Sequence, residues 1–126
     1  VSRRAENAAY LSAGLDGISG LITPNELAGR RHVWHQYTVR ITEEASVSRH
    51  EFVERIADAG IGAGVYYPHL VFGYGAYRDR SDVVIEPTPV ASRIAREAVS
   101  LPVHTHLSRG ELDEIIAATR RILGAQ

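Results

Sequence analysis

From residue 32 to residue 41 the side chains alternate: Val33, His35, Tyr37, Val39 and Ile41 point one way, Trp34, Gln36, Thr38 and Arg40 the other. A period of two predicts a strand with one face buried and one face wet. Such a strand needs a second layer over its apolar face, and the rest of the chain supplies helices for it. Ser48-Arg49-His50-Glu51 has the spacing of a capping box and predicts a helix with Phe52, Val53, Ile56 and Ala57 on one face. Gly60 is placed to end that helix as a left-handed residue. Ser108-Arg109-Gly110-Glu111 is a second capping box, opening a helix with Leu112, Ile115, Ile116, Thr119 and Leu123 on one face. Between them, Thr88 is read as a cap and Pro89 as the first residue of another helix. Its stripe of Val90, Ile94, Ala98 and Leu101 is expected to run to Pro102.

Residues 2–15, with Ala5, Ala8, Leu11 and Leu15 at three- and four-residue spacing, predict an Ala-rich helix. Gly17, Gly20, Pro24, Asn25 and Gly29 mark a loop after it, with a short strand at Leu21-Ile22-Thr23. Gly62 to Tyr67 reads as a further strand stopped by Pro68, and residues 69–87 as one irregular loop rich in Gly, Tyr, Asp and Arg. The expected fold class is α+β: a short, mainly antiparallel sheet covered by helices. Residues 1–126 form a single small domain, in which 32–123 make the compact α/β sandwich. The helix over 1–15 is the outlier, continuing from a missing large domain. At 126 residues and 44% hydrophobic composition there is enough apolar matter for one core, and too much for a disordered tail.

A net charge of −1 leaves no electrostatic footprint for nucleic acid, and no apolar run approaches the roughly 20 residues of a membrane span. No cysteine is present, which removes disulfides and thiolate metal sites and goes with a cytoplasmic location. All fourteen basic residues are arginine, so the chain has no lysine. His32-x-x-His35 and His104-x-His106 raise the question of metal, but no acid lies between or beside the members of either pair, and a catalytic metal takes three protein ligands. No metal is expected: His35 is assigned to the buried strand face and His104 to a hydrogen bond near a helix end. Gly60-Ile61-Gly62-Ala63-Gly64 follows a helix and precedes an extended segment, the reverse of a dinucleotide-binding turn. No serine sits on a strand-to-helix elbow. Tyr66, Tyr67, Tyr74 and Tyr77, around Pro68 and His69, suit either a ligand cleft or plain packing.

The order of these features resembles a known family. His32-Val33-Trp34-His35-Gln36-Tyr37 leads to a helix ending Ala59-Gly60-Ile61-Gly62. Gly64-Val65-Tyr66-Tyr67-Pro68, a loop ending Ala76-Tyr77, Ser100-Leu101-Pro102-Val103-His104 and Leu107-Ser108 with Glu111-Leu112 follow. From Arg3 to Leu123 the chain resembles the C-terminal third of the DegT/DnrJ/EryC1/StrS aminotransferases, which act on nucleotide-linked keto-sugars with pyridoxal phosphate (PLP). Where the family shows Gly-Ile-Gly-Thr-Gly-Val-His-Tyr-Pro, this chain has Ala63 for Thr and Tyr66 for His. The resemblance implies a fold type I small domain that closes over a PLP-binding large domain, in a homodimer with glutamate as the amino donor. It places Tyr67, Tyr66, His69 and His35 on the substrate side of the cleft. It implies no catalytic and no cofactor-binding residue here, because the Schiff-base lysine and the acid facing the pyridine nitrogen belong to the large domain. Without a lysine the isolated chain is expected to be inactive, a fragment or a separately encoded half. The alternative is a stand-alone, non-catalytic binding or interaction module derived from that domain.

Overall fold

The computed structural model describes residues 2–124. The chain runs α1 (Ser2–Leu15), β1 (Leu21–Ile22), β2 (Tyr37–Ile41), α2 (Arg49–Asp58), a 3-10 turn (Val71–Gly73), the one-turn α3 (Gly75–Arg78), α4 (Pro89–Glu97), β3 (Ala98–Leu101) and α5 (Arg109–Ile122). The sheet is antiparallel throughout, in the order β1-β2-β3, with Tyr37 opposite Leu101 and Leu21 opposite Ile41. Tyr37, Val39 and Ile41 of β2 are buried while Thr38 and Arg40 are partly exposed, which is the alternation expected of a half-buried strand.

The strand is shorter than its pattern. Residues 32–36 are not in the sheet: Trp34 has φ 51° and is buried, while Val33 and His35, expected on the inner face, are exposed. The Trp34 N–H donates to Nδ1 of His32 at 2.9 Å, and the two rings lie 4.1 Å apart. Burying the one large indole out of phase turns the backbone over before β2 begins. The segment from Gly62 to Tyr67 is likewise not a full strand. It meets the sheet only at Gly64, through paired hydrogen bonds of 3.0 and 2.7 Å with Ser100.

A third correction concerns residues 90–101. The helix stops at Glu97, and Ala98 turns extended to start β3, all four residues of which are buried. The spacing of 90, 94, 98 and 101 fits a helix, but a four-residue apolar run fits a strand equally well, and pairing with β2 decides. Val90 and Ile94 are 59% and 41% exposed, on a side of α4 that the described residues leave open.

α1 is not an outlier. Ala8, Leu11 and Leu15 are buried in the common core with Phe52 and Ile56 of α2 and Leu112, Ile115 and Ile122 of α5. Arg120 of α5 donates from Nε to the Gly14 carbonyl at 2.8 Å and from an Nη to that of Asp16 at 3.0 Å, satisfying carbonyls at the end of α1. Tyr10 donates to Asp113, and the Arg109 guanidinium lies 3.7 Å above the Tyr10 ring.

Both serine caps form, while Thr88 takes the N-cap position of α4 with Pro89 after it but its side chain accepts no capping hydrogen bond. Ser108 accepts from the Glu111 N–H and Glu111 accepts from the Ser108 N–H, so both halves of that box are made. The Ser108 donors hold the Glu111 carboxyl below the ordinary carboxylate range. At α2 only the Ser48 half is present, because Glu51 turns to Arg55 one helical turn on. Gly60 has φ 78° and closes α2 as expected.

Candidate functional site

A cleft of about 670 Å³ opens where the first turn of α1, the segment before β2, the Gly62–Tyr66 stretch and the chain leaving β3 converge. That volume is in the range of small-molecule sites. It is lined by Arg4, His35, Gln36, Gly62, Ala63, Gly64, Tyr66 and the run from Ser100 to His104.

Hydrogen bonds hold its walls in register. Asn7, buried on α1, donates from Nδ2 to the His104 carbonyl at 2.9 Å, joining residues 97 positions apart. Thr38 and Ser100 share a hydroxyl–hydroxyl bond of 2.8 Å, and the Gly64 bridge fixes the opposite side of Ser100. Tyr66 folds back over Gly64: a Cβ there would fall 2.5 Å from the ring's Cζ and hydroxyl oxygen. Gly64→Ala is therefore expected to swing Tyr66 out of the cleft while the backbone bridge persists. Tyrosine fluorescence and the Tyr66 ring resonances report the change; a ring that keeps its wild-type signals would refute this placement.

The four residues singled out from the sequence divide between two places. His35 and Tyr66 line the cleft. His35 is exposed there, which corrects its assignment to the buried strand face: the turn at Trp34 reverses its side. Tyr67 is not core, being 72% exposed; its ring stands edge-on to Tyr66 with centroids 6.2 Å apart. His69 lies outside the cleft. With Val65 and Pro68 it borders a cavity of about 320 Å³ against Arg49, His50 and Val53 of α2, and its ring meets Tyr74 edge-on at 5.6 Å. His104 contributes its backbone carbonyl, not its ring, to the bond with Asn7, and its imidazole lies 6.3 Å from that of His106. Among the described residues no group of three or more His, Cys, Asp or Glu could hold a metal ion.

Sequence reasoning missed Arg4 and Gln36. The signal was there for Arg4, a cation three residues before Asn7 and four before the buried Ala8, which puts it at the margin of the core-facing stripe. No Asp or Glu lines the cleft, and Nε of Arg4 is buried without a hydrogen-bond partner. The arrangement offers donors and aromatic surface to a ligand.

The cleft does not fit PLP by itself. The chain has no lysine, and no carboxylate stands in the cleft to face a pyridine nitrogen.

Comparison with known proteins gives a consistent picture. The DegT/DnrJ/EryC1/StrS aminotransferase family matches residues 1–120. The erythromycin biosynthesis sensory transduction protein EryC1 of Saccharopolyspora erythraea is 30% identical over 94% of this chain and 31% of its own length. A dTDP-3-amino-3,4,6-trideoxy-alpha-D-glucose transaminase of Streptomyces venezuelae is 33% identical over 94% of this chain and 30% of its own. Among solved structures, S. venezuelae DesV in complex with a ketimine intermediate superposes with a TM-score of 0.82 at 31% identity, covering 95% of this chain and 31% of that one. The chain thus spans about a third of the length of the relatives it matches, corresponding to their C-terminal part.

Proposed function

The chain belongs to the DegT/DnrJ/EryC1/StrS aminotransferase family, and from that premise we propose that it is the C-terminal, substrate-side domain of a PLP-dependent enzyme that converts a nucleotide-linked keto-sugar to an amino-sugar. The observation that carries the reading is the match over residues 1–120 to proteins about three times as long. The large domain that would hold PLP is the missing partner; a homodimer, glutamate as donor and a cytoplasmic location complete the reading. When bound, PLP supplies the electron sink for transamination, and a lysine must hold it. This chain has none, so alone it is inactive.

On this reading His35 and Tyr66 meet the substrate from the cleft wall. Tyr67 and His69, exposed in this chain, are covered when the large domain docks. The exposed apolar surface supports an orphaned half over a self-contained module: Val71, Val84, Val90 and Ile94 all stand in solvent. No helix among the described residues is long and apolar enough to cross a membrane.

The test is to find the large domain in the source genome, continuous with the codon for Val1 or separately encoded, and to produce it with this chain. The joined protein is expected to carry PLP on a borohydride-trappable lysine and to aminate a nucleotide-linked keto-sugar with glutamate, while the 126-residue chain does neither. Turnover by the chain alone, or a joined protein that binds no PLP, overturns the proposal.

A further inference from the structure

We propose that the cleft at the start of α1 holds an oxyanion of its ligand, a phosphate or a carboxylate, with Arg4 as the charged anchor. Three features converge on this. The first is charge. Arg4 is the arginine among the lining residues, and no carboxylate lines the cleft with it. Some arginines elsewhere have local acids, Arg40 with Glu97, Arg55 with Glu51 and Arg80 with Asp82, whereas Arg4 is the one that faces this cleft. Arg4 has no ion pair or hydrogen bond among the described residues, and its Nε is already out of water. Its two Nη groups are not shut in with Nε, and side by side they form a pair of donors that two oxygens of one carboxylate or phosphate satisfy together. A neutral sugar hydroxyl would leave the charge unanswered.

The second feature is position. Arg4 stands one turn before Asn7, and Asn7 is tied to the His104 carbonyl at 2.9 Å. That bond ties the turn carrying Arg4 to the chain leaving β3 at the mouth of the cleft. The third is the set of further donors. Gln36, His35 and the Tyr66 hydroxyl share the cleft with Arg4. The Ser100 hydroxyl is engaged with Thr38.

The identity of the anion rests on the function proposed above: it is a phosphate of the nucleotide-linked sugar or a carboxylate of the amino donor. The charge of the cleft rests on its own geometry, and its test reads binding alone. Inorganic pyrophosphate and glutarate are titrated separately into the 126-residue chain, followed by ¹H–¹⁵N spectra and calorimetry. One probe is expected to bind saturably and to move the amides of residues 62–66, Ser100, Leu101, Val103 and His104; a preference for pyrophosphate assigns a phosphate, a preference for glutarate a carboxylate. Arg4→Gln is expected to weaken that binding at least tenfold, and Arg121→Gln, on the exposed side of α5, to leave it unchanged. Should Arg4→Gln not fold, Arg4→Lys keeps the charge, loses the side-by-side pair of donors and is still expected to bind more weakly than wild type. Absence of saturable binding by either probe, or equal binding by wild type and the Arg4 variant, overturns the inference. Neither result bears on whether a PLP domain completes the enzyme, so the two proposals fail separately.

Discussion

Replacing Tyr37 by alanine is expected to destabilise the chain by about 3–5 kcal/mol, the usual cost of removing a fully buried aromatic ring. Tyr37 is entirely inaccessible to solvent and opens β2 directly opposite Leu101. Its ring lies 6.1 Å from that of Trp34, and its hydroxyl is 2.9 Å from the Ser12 hydroxyl on α1. One side chain therefore ties the sheet, the turn before it and the first helix together. Burial pushes the Tyr37 phenol above its ordinary pKa, and the bond to Ser12 opposes that shift. Tyr37→Phe keeps the ring and loses only this bond; because Ser12 is partly exposed and can turn to water, the cost is about 0.5–1.5 kcal/mol. A domain of this size has on the order of 5–15 kcal/mol in all, so the alanine variant sits near the edge of folding and the phenylalanine variant does not. Urea midpoints at constant slope measure both. An alanine variant as stable as the phenylalanine one would show that the ring is not packed as described.

The second large effect is expected at Gly20. It has φ 74°, and a Cβ built there would overlap the backbone N and Cα of Ala45 and lie 2.6 Å from its Cβ. The Gly20 carbonyl also accepts from the Thr42 N–H at 2.8 Å, so the two segments cannot simply part. The left-handed conformation costs an L-residue about 1–2 kcal/mol, and overpacking against backbone adds about 1–3. Gly20→Ala is therefore expected to lose about 2–5 kcal/mol. Gly17 provides the control, since it has the same φ with nothing within 4 Å of a Cβ, and its alanine variant should show the conformational part alone. Gly14 differs again: its Cβ would overlap Ile116 Cδ1, the end of a side chain that can rotate. Equal losses at Gly17 and Gly20 would mean that Ala45 is not where the structure places it.

The first loop bears on function because it sets where α1 meets the sheet, and α1 carries Arg4 to the cleft. Tyr37 acts on the same joint through Ser12. Variants at either position are expected to disturb the cleft indirectly, so loss of binding in them says nothing about contact with a ligand. Arg4→Gln is the cleaner probe, because it removes no side-chain hydrogen bond or ion pair to another described residue.

Features carried by a few neighbouring residues are legible in the sequence alone. Ser48, Ser108 and Glu111 cap their helices, Gly60 turns left-handed after α2, and Tyr37, Val39 and Ile41 face inward, because each depends on hydrogen bonds or periodicity within one turn or one strand. The absence of lysine alone decides that this chain cannot hold PLP as a Schiff base. The order of motifs is enough to point to the family. Tertiary structure decides the rest. Ala98–Leu101 is a strand because β2 offers a partner for its backbone, although its spacing continues the stripe of α4. His35 reaches the cleft because Trp34 takes the buried place and reverses the chain. Arg4 becomes a site residue only when Asn7 reaches the His104 carbonyl from the other end of the sequence. No local pattern encodes that meeting, since it follows from packing α1 and α5 on one core, and the free energy that brings them together belongs to the whole fold.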